Sequence, residues 1–236
     1  MKTKNKVKTV AIHIWAFLLA IAIILGMLLM SISLKSQDVQ FYNKFQRENS
    51  IDEVTGKTHD ELDGINLKIA YYLQTGYDYL LEDDFNQKEV MHMQDVWKLF
   101  ELAYRVMSIS VTIIIVSLMT SIFLRVKDEL MIKTLRYILV ILGLVALMVA
   151  IMSFDFNKYF VIFHEIFFDN DLWLLDPRTD LMIQMMPLNF FIQMSIRILI
   201  QFLVFMGVVI AVILLNHFLI YKKNKGCVLC NTTEVE

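Results

Sequence analysis

Five histidines stand in the 236-residue chain, and two of them sit among residues that could make an imidazole chemically useful. An imidazole titrates close to neutrality, so it can take or give a proton under physiological conditions. His92 lies in Glu89-Val-Met-His-Met-Gln-Asp-Val-Trp97, with Asp95 three positions on. On a helix that spacing puts both side chains on one face, so Asp95 is expected to orient His92. His164 lies in Lys158-Tyr-Phe-Val-Ile-Phe-His-Glu-Ile-Phe-Phe168. A histidine and a glutamate in so apolar a stretch are costly unless they have partners or a task. The other three read plainly. His13 and His217 fall near the ends of apolar runs, where an imidazole reaches the interface, and His59 sits in a polar stretch that solvates it.

Beyond His164 the sequence continues Asp169-Asn-Asp-Leu-Trp-Leu-Leu-Asp-Pro-Arg-Thr-Asp180. Its carboxylates could ligate Ca²⁺, but the Gly and terminal Glu of an EF-hand loop are missing. The plainer reading is a turn-rich loop in which Asp176 caps a helix that has Pro177 at its first position. Cys227-Val-Leu-Cys230 could be redox-active or bind a soft metal, yet it lies in a short tail with no other Cys or His beside it. No nucleophile elbow, His-Glu-x-x-His, phosphate-cradling Gly-rich loop or basic nucleic-acid patch is present.

The elements that must position these residues are membrane helices. The chain is 57% hydrophobic and 19% charged, with 7 Gly and 2 Pro, which excludes collagenous and disordered chains and departs from soluble domains. Four apolar runs reach the roughly 20 residues that a span needs. The reading is an all-α integral membrane protein with transmembrane helices at 10–34, 104–124, 137–154 and 193–221. The first run is too long for a signal-peptide core and lacks a small-residue cleavage site, so it is read as retained. Lys and Arg set orientation. The N-terminal tail, the loop 125–136 and the tail 222–236 hold 11 basic and 4 acidic residues, whereas segments 35–103 and 155–192 hold 9 basic and 20 acidic. Both termini are therefore expected in the cytoplasm, and both long segments outside. Residues 49–63 read as an exposed polar loop, and 62–73 as a helix packed on the outer portion.

His92-Met-Gln-Asp-Val96 and Phe163-His164-x-x-Phe167-Phe168-x-Asn170-Asp171-x-Trp173-x-Leu175-Asp176-Pro177-x-x-Asp180 resemble the two signature stretches of the lipoprotein intramolecular transacylase family (Lit), four-span membrane enzymes of Gram-positive bacteria. The resemblance extends to span order and to the two long outer segments. It implies a substrate: a lipoprotein whose N-terminal Cys carries a thioether-linked diacylglycerol and a free α-amine. It also implies a reaction, transfer of one acyl chain from the glycerol ester to that amine, leaving the lyso-form lipoprotein. The family's two essential histidines fall on His92 and His164. Imidazoles of pKa about 6.5 suit both proton steps, and such help supplies about 10²–10⁴ in rate. Amine and ester share one molecule, so holding them together adds an effective molarity on the order of 10⁵ M or above. Direct transfer needs no acyl-enzyme.

Further roles follow from the same resemblance. Asn170, Asp171 and Asp176 are expected to position the loop backbone or, in the case of Asn170, to polarise the ester carbonyl. Arg197 is expected to pair with Asp180 or, failing that, to meet a lipid head group. Phe163, Phe167, Phe168 and Trp173 are expected to face lipid, bind substrate and exclude water. No metal or cofactor and no nucleic acid is expected; the partners are the lipoprotein and membrane lipid, and the enzyme is read as a monomer. The competing readings are a thiol oxidoreductase using Cys227 and Cys230, and a non-enzymatic metal- or haem-binding or signalling membrane protein.

Overall fold

The computed structural model describes residues 2–232, with side chains described for 7–220 and 222. Cys227 and Cys230 lie outside the described side chains. The described chain is all-α: α1 (Lys2–Ser36), α2 (Val39–Glu48), α3 (Ile51–Thr55), α4 (His59–Thr75), α5 (Gln87–Phe123), α6 (Lys127–Ser153), α7 (Phe156–Phe167), α8 (Leu181–Met185) and α9 (Leu188–Thr232), with one 3₁₀ turn at Asp78–Leu80. Stretches of α1, α5, α6 and α9 are long and apolar enough to cross a membrane. The protein is a multi-pass membrane protein.

Several elements run further than their apolar stretches. Most of the expected loop 125–136 is the first turns of α6, and only 124–126 remain to connect it to α5. The expected tail after 221 continues α9 to Thr232. The expected loop 49–63 contains α3 and the start of α4. Its polar residues are helix signals: Thr58 accepts from Glu61 N, and the Glu61 carboxylate accepts from Thr58 N at 2.8 Å, a capping box. Gly56 at φ +67° and Gly76 at φ +70° end α3 and α4 in the left-handed region, where glycine is unstrained.

The chain divides into two compact units. The first comprises Met1–Met27, Ser108–Leu147 and Gln201–Glu236. Lipid is as apolar as leucine, so helices there associate through close packing and hydrogen bonds. On α1, Ile12, Ala16, Leu19, Ala20 and Ile23 form a buried stripe at helical spacing. On α5, Ser110, Ser117 and Ser121 are buried. Trp15 donates to Ser117 at 3.0 Å, and a Cβ on Gly26 would stand 3.3 Å from that of Ser110, so the two helices touch closely. His13 reaches the Tyr137 hydroxyl at 3.0 Å.

The second unit comprises Leu28–Met107 and Met148–Ile200. Its core combines aromatic rings with Leu, Ile and Met side chains. Phe41, Tyr42 and Phe45 of α2 pack on Phe190 of α9 with ring centroids 4.9–5.3 Å apart. Each such buried ring contributes about 1.5–3 kcal/mol. Leu62, Ile65, Ile69 and Leu73 present the apolar face of α4 to this core, as expected of 62–73. Polar groups inside it are paired: the Gln46 and Asn66 amides exchange hydrogen bonds of 2.7 and 3.2 Å.

Candidate active site

His92 sits in the second turn of α5, within the polar portion that precedes the uncharged run of the span. The face it occupies is unusually well anchored. Asn86 caps the helix, accepting from Glu89 N at 3.0 Å, while the Glu89 carboxylate accepts from Asn86 N at 2.8 Å. The other Glu89 oxygen accepts from Met182 N at 2.6 Å, and the side chain is buried. Burial raises the Glu89 pKa against the hydrogen bonds from Met182 and Asn86. Lys88 donates to the carbonyl of Leu174 at 2.6 Å, and Asn86 donates to Asp180 at 3.1 Å. The turns that carry His92 are thereby tied to the loop 170–182.

His164 lies in the last turn of α7, which Asp155 caps by accepting from Lys158 N at 3.1 Å. Its ring is walled by aromatics: Trp173 stacks at 4.8 Å, Phe168 lies at 5.5 Å, and Phe160 and Phe163 meet it edge-on at 4.5 and 5.3 Å. Its Nδ1 lies 2.7 Å from the carbonyl oxygen of Phe160. A carbonyl only accepts, so in this contact Nδ1 carries the proton, leaving Nε2 of the neutral ring with its lone pair.

The 72 positions between the histidines close to a ring separation of 6.2 Å, with planes 33° apart. Phe168 touches both, at 5.4 Å from His92. Both imidazoles are 8% exposed. Burial first, and the neighbouring His164 charge second, push His92 down from 6.5 to about 4. Burial lowers His164 as well, opposed by its bond to Phe160.

The acidic and aromatic residues expected here divide into those that meet the pair and those that hold its loop. Asp95 does not grip His92, whose Nδ1 is buried without a partner. It accepts instead from Lys98 at 2.7 Å and Asn170 at 2.9 Å. Burial works to raise Asp95, but those bonds prevail and its pKa is lowered. Asn170 is a strut: its amide donates to Asp95 and its oxygen accepts from Leu172 N at 3.0 Å. Asp176 and Pro177 open a turn rather than a helix, because Asp176 accepts from Arg178 N at 2.9 Å and grips the Arg178 side chain at 2.6 Å. Asp180 precedes α8 and accepts from Asp176 N, Asn86 and Thr179. With Asp180 so occupied, Arg197 pairs with Asp38 at 2.6 Å and lies over the Phe41 ring, correcting the expected Arg197–Asp180 pair.

Phe168 is buried against both imidazoles, whereas Phe163 and Phe167 are exposed, with ring centroids 4.8 Å apart and planes tilted by 41°. A cavity of about 490 Å³ opens beside this wall, lined in part by Phe168, Trp173, Asn170 and the carboxylates of Glu165, Asp169 and Asp171. Among the described residues, no three of His, Cys, Asp and Glu converge as metal ligands would. Reading the sequence missed Asn86, Lys88, Glu89 and Phe160. The pattern Asn86-x-x-Glu89 ahead of an apolar helix was a legible capping signal.

The lipoprotein intramolecular transacylase Lit family model matches residues 17–191. The chain is also similar to the in meso structure of the membrane integral lipoprotein intramolecular transacylase Lit from Bacillus cereus. That likeness has a TM-score of 0.76 at 21% identity, covering 91% of this chain and 98% of that one. Variants of that protein with one histidine replaced by arginine or by alanine match with TM-scores of 0.78 and 0.76 at 19% and 21% identity. They cover 95% and 94% of this chain, and 99% of each of theirs. At such identity the likeness speaks for the fold. No curated protein sequence matches the chain.

Proposed function

The chain belongs to the lipoprotein intramolecular transacylase Lit family, and from that premise we propose that it moves an acyl chain within a lipoprotein. The chain leaves the diacylglycerol ester and arrives on the α-amine of the N-terminal Cys. The observation that carries the reading is the convergence of His92 and His164 at 6.2 Å behind an aromatic wall. His164 is the base. Its Nδ1–H is held by the Phe160 carbonyl, so Nε2 is the nitrogen that accepts a proton, and that carbonyl stabilises the resulting imidazolium.

The step balances within the substrate and the pair. The amine nitrogen attacks the ester carbonyl while His164 takes its proton. The new N–C bond forms and the C–O bond to glycerol breaks, and the proton taken by His164 reaches the departing oxygen by way of His92, so both rings end neutral. A proton on His92 is weakly held, because burial and a charged neighbour both disfavour it, so it is readily donated. No side chain is acylated. The carboxylates of Glu165, Asp169 and Asp171 favour the approach of a cationic N-terminus, which releases one proton to solvent before the neutral amine attacks, and Phe168 and Trp173 exclude water that would hydrolyse the ester. The site is read on the extracytoplasmic face with both termini in the cytoplasm, and one chain suffices for catalysis.

The test is mass spectrometry of a model lipoprotein's N-terminus, co-expressed in cells lacking their own transacylase. Wild type converts the diacyl form to the N-acyl lyso form. His92→Ala and His164→Ala each lose about 10²–10⁴ in rate. Conversion by either variant at the wild-type rate refutes the pair.

A further inference from the structure

In the other unit, a second cavity of about 310 Å³ lies between α6 and α9, lined by Asp128, Glu129, Ile132, Lys133, Arg136 and His217. Its charges are not all spent on one another. Lys133 is held by Glu129 at 2.8 Å. Asp128 and Arg136 are exposed and enter no ion pair among the described residues. They stand eight positions apart on one helix face, about 12 Å along the axis, so they cannot neutralise each other. A favourable helix dipole accounts for a carboxylate in the first turn of α6. It does not account for a guanidinium and an imidazole facing the same cavity.

We infer that this cavity seats the headgroup of a zwitterionic aminophospholipid. The order of charges fits such a lipid and no simple anion. Helix α6 begins with Lys127 and carries no charge after Arg136 until its end, so Asp128 is at the water side and Arg136 at the hydrocarbon edge. An aminophospholipid has the same order, with its phosphate next to the acyl chains and its ammonium outermost. The Arg136 fork takes the phosphate in bidentate fashion, reaching outward as arginines do at this depth, and His217 adds a donor from α9. Asp128 meets the ammonium. Leu139 and Val140 of α6 and Leu214 and Phe218 of α9 are exposed beyond the polar residues and offer the acyl chains an apolar surface. A lipid with phosphate and no amine leaves Asp128 unanswered and meets two carboxylates.

The test uses the full-length protein in detergent micelles, with bound lipid counted by native mass spectrometry. The probes are dioleoyl phosphatidylethanolamine, dioleoyl phosphatidylglycerol and soluble phosphoethanolamine. Wild type should hold the ethanolamine lipid about tenfold more tightly than the glycerol lipid, one charge-assisted hydrogen bond's worth. Arg136→Gln should weaken the ethanolamine lipid about tenfold. Asp128→Asn should remove the preference while leaving phosphate binding. Both side chains are exposed, so both variants should fold. The inference is overturned if the glycerol lipid binds as tightly as the ethanolamine lipid, or if Arg136→Gln changes nothing. Soluble phosphoethanolamine binding as well as the lipid would also overturn it, by removing the role of the acyl chains. Acyl transfer stays at the wild-type level in both variants, so this site and the histidine pair stand or fall separately.

Discussion

His92 and His164 are neighbours held by opposite means. The turns around His92 are fixed by polar latches to the loop opposite: Asn86 to Asp180, Lys88 to Leu174, Glu89 to Met182, and Asn170 to Asp95. The ring itself has no hydrogen bond on Nδ1. His164 is the reverse. Its ring is enclosed by Phe160, Phe163, Phe168 and Trp173, and its one hydrogen bond goes to the backbone of its own helix. One histidine is placed by anchoring its helix and the other by packing its ring. The difference sorts tasks as well as supports. A ring with a fixed tautomer suits proton acceptance, and one without suits passing the proton on.

The largest expected effect comes from opening the aromatic side. Trp173→Ala removes the stacked face of His164 and should lower transfer on the order of 10²-fold, since small misplacement of a reacting group costs that much. Water entering the gap should also release free fatty acid. A variant that retains wild-type transfer with no fatty acid would show that the wall is only packing. Next, on the polar side, Glu89→Gln turns the Met182 N–H acceptor into an amide that must rotate to serve it. This should cost about 1–3 kcal/mol of stability, as loss of a buried charged acceptor does. An unchanged melting temperature would mean that the latch holds nothing.

A pH experiment separates the two supports more finely. Folded His92 releases its proton at about 4, against 6.5 when unperturbed. Between those values the unfolded chain binds more protons than the native one, so stability falls as pH drops from 6.5 towards 4. His92→Gln cannot titrate, and its melting temperature should decline less over that window. Identical declines would place the acid sensitivity elsewhere. The smallest effect belongs to Asp38→Asn. The Arg197–Asp38 pair is partly exposed, so its loss should cost about 0–1 kcal/mol and leave transfer unchanged.

The four spans and the helical face of 62–73 were readable because apolar periodicity is a local signal. The two motifs single out His92 and His164, but their convergence was not readable, since no spacing rule brings residues 92 and 164 together. Partner choice was the least legible. Along the chain Arg197 was given Asp180 as its mate, and no spacing marked Asp38. The fold decides by which turns face one another: Asp180 is consumed by its own loop, so Arg197 goes to Asp38. The stretch 49–63 was misread for a related reason. Ser, Thr, Asp and Glu there serve as caps and first-turn residues, a composition that helix starts share with loops.

The Phe160 carbonyl that holds His164 belongs to the main chain. No codon change can delete it, and only a distortion of α7 can move it. A mutational scan for a third member of this catalytic group would therefore find no side chain behind His164. It would find the Phe160 ring tolerant of exchange for another large apolar residue, and a proline inserted near the end of α7 ruinous. The orienting role that other acid–base sites assign to a carboxylate is here written into backbone geometry, where heredity reaches it only through the shape of a helix.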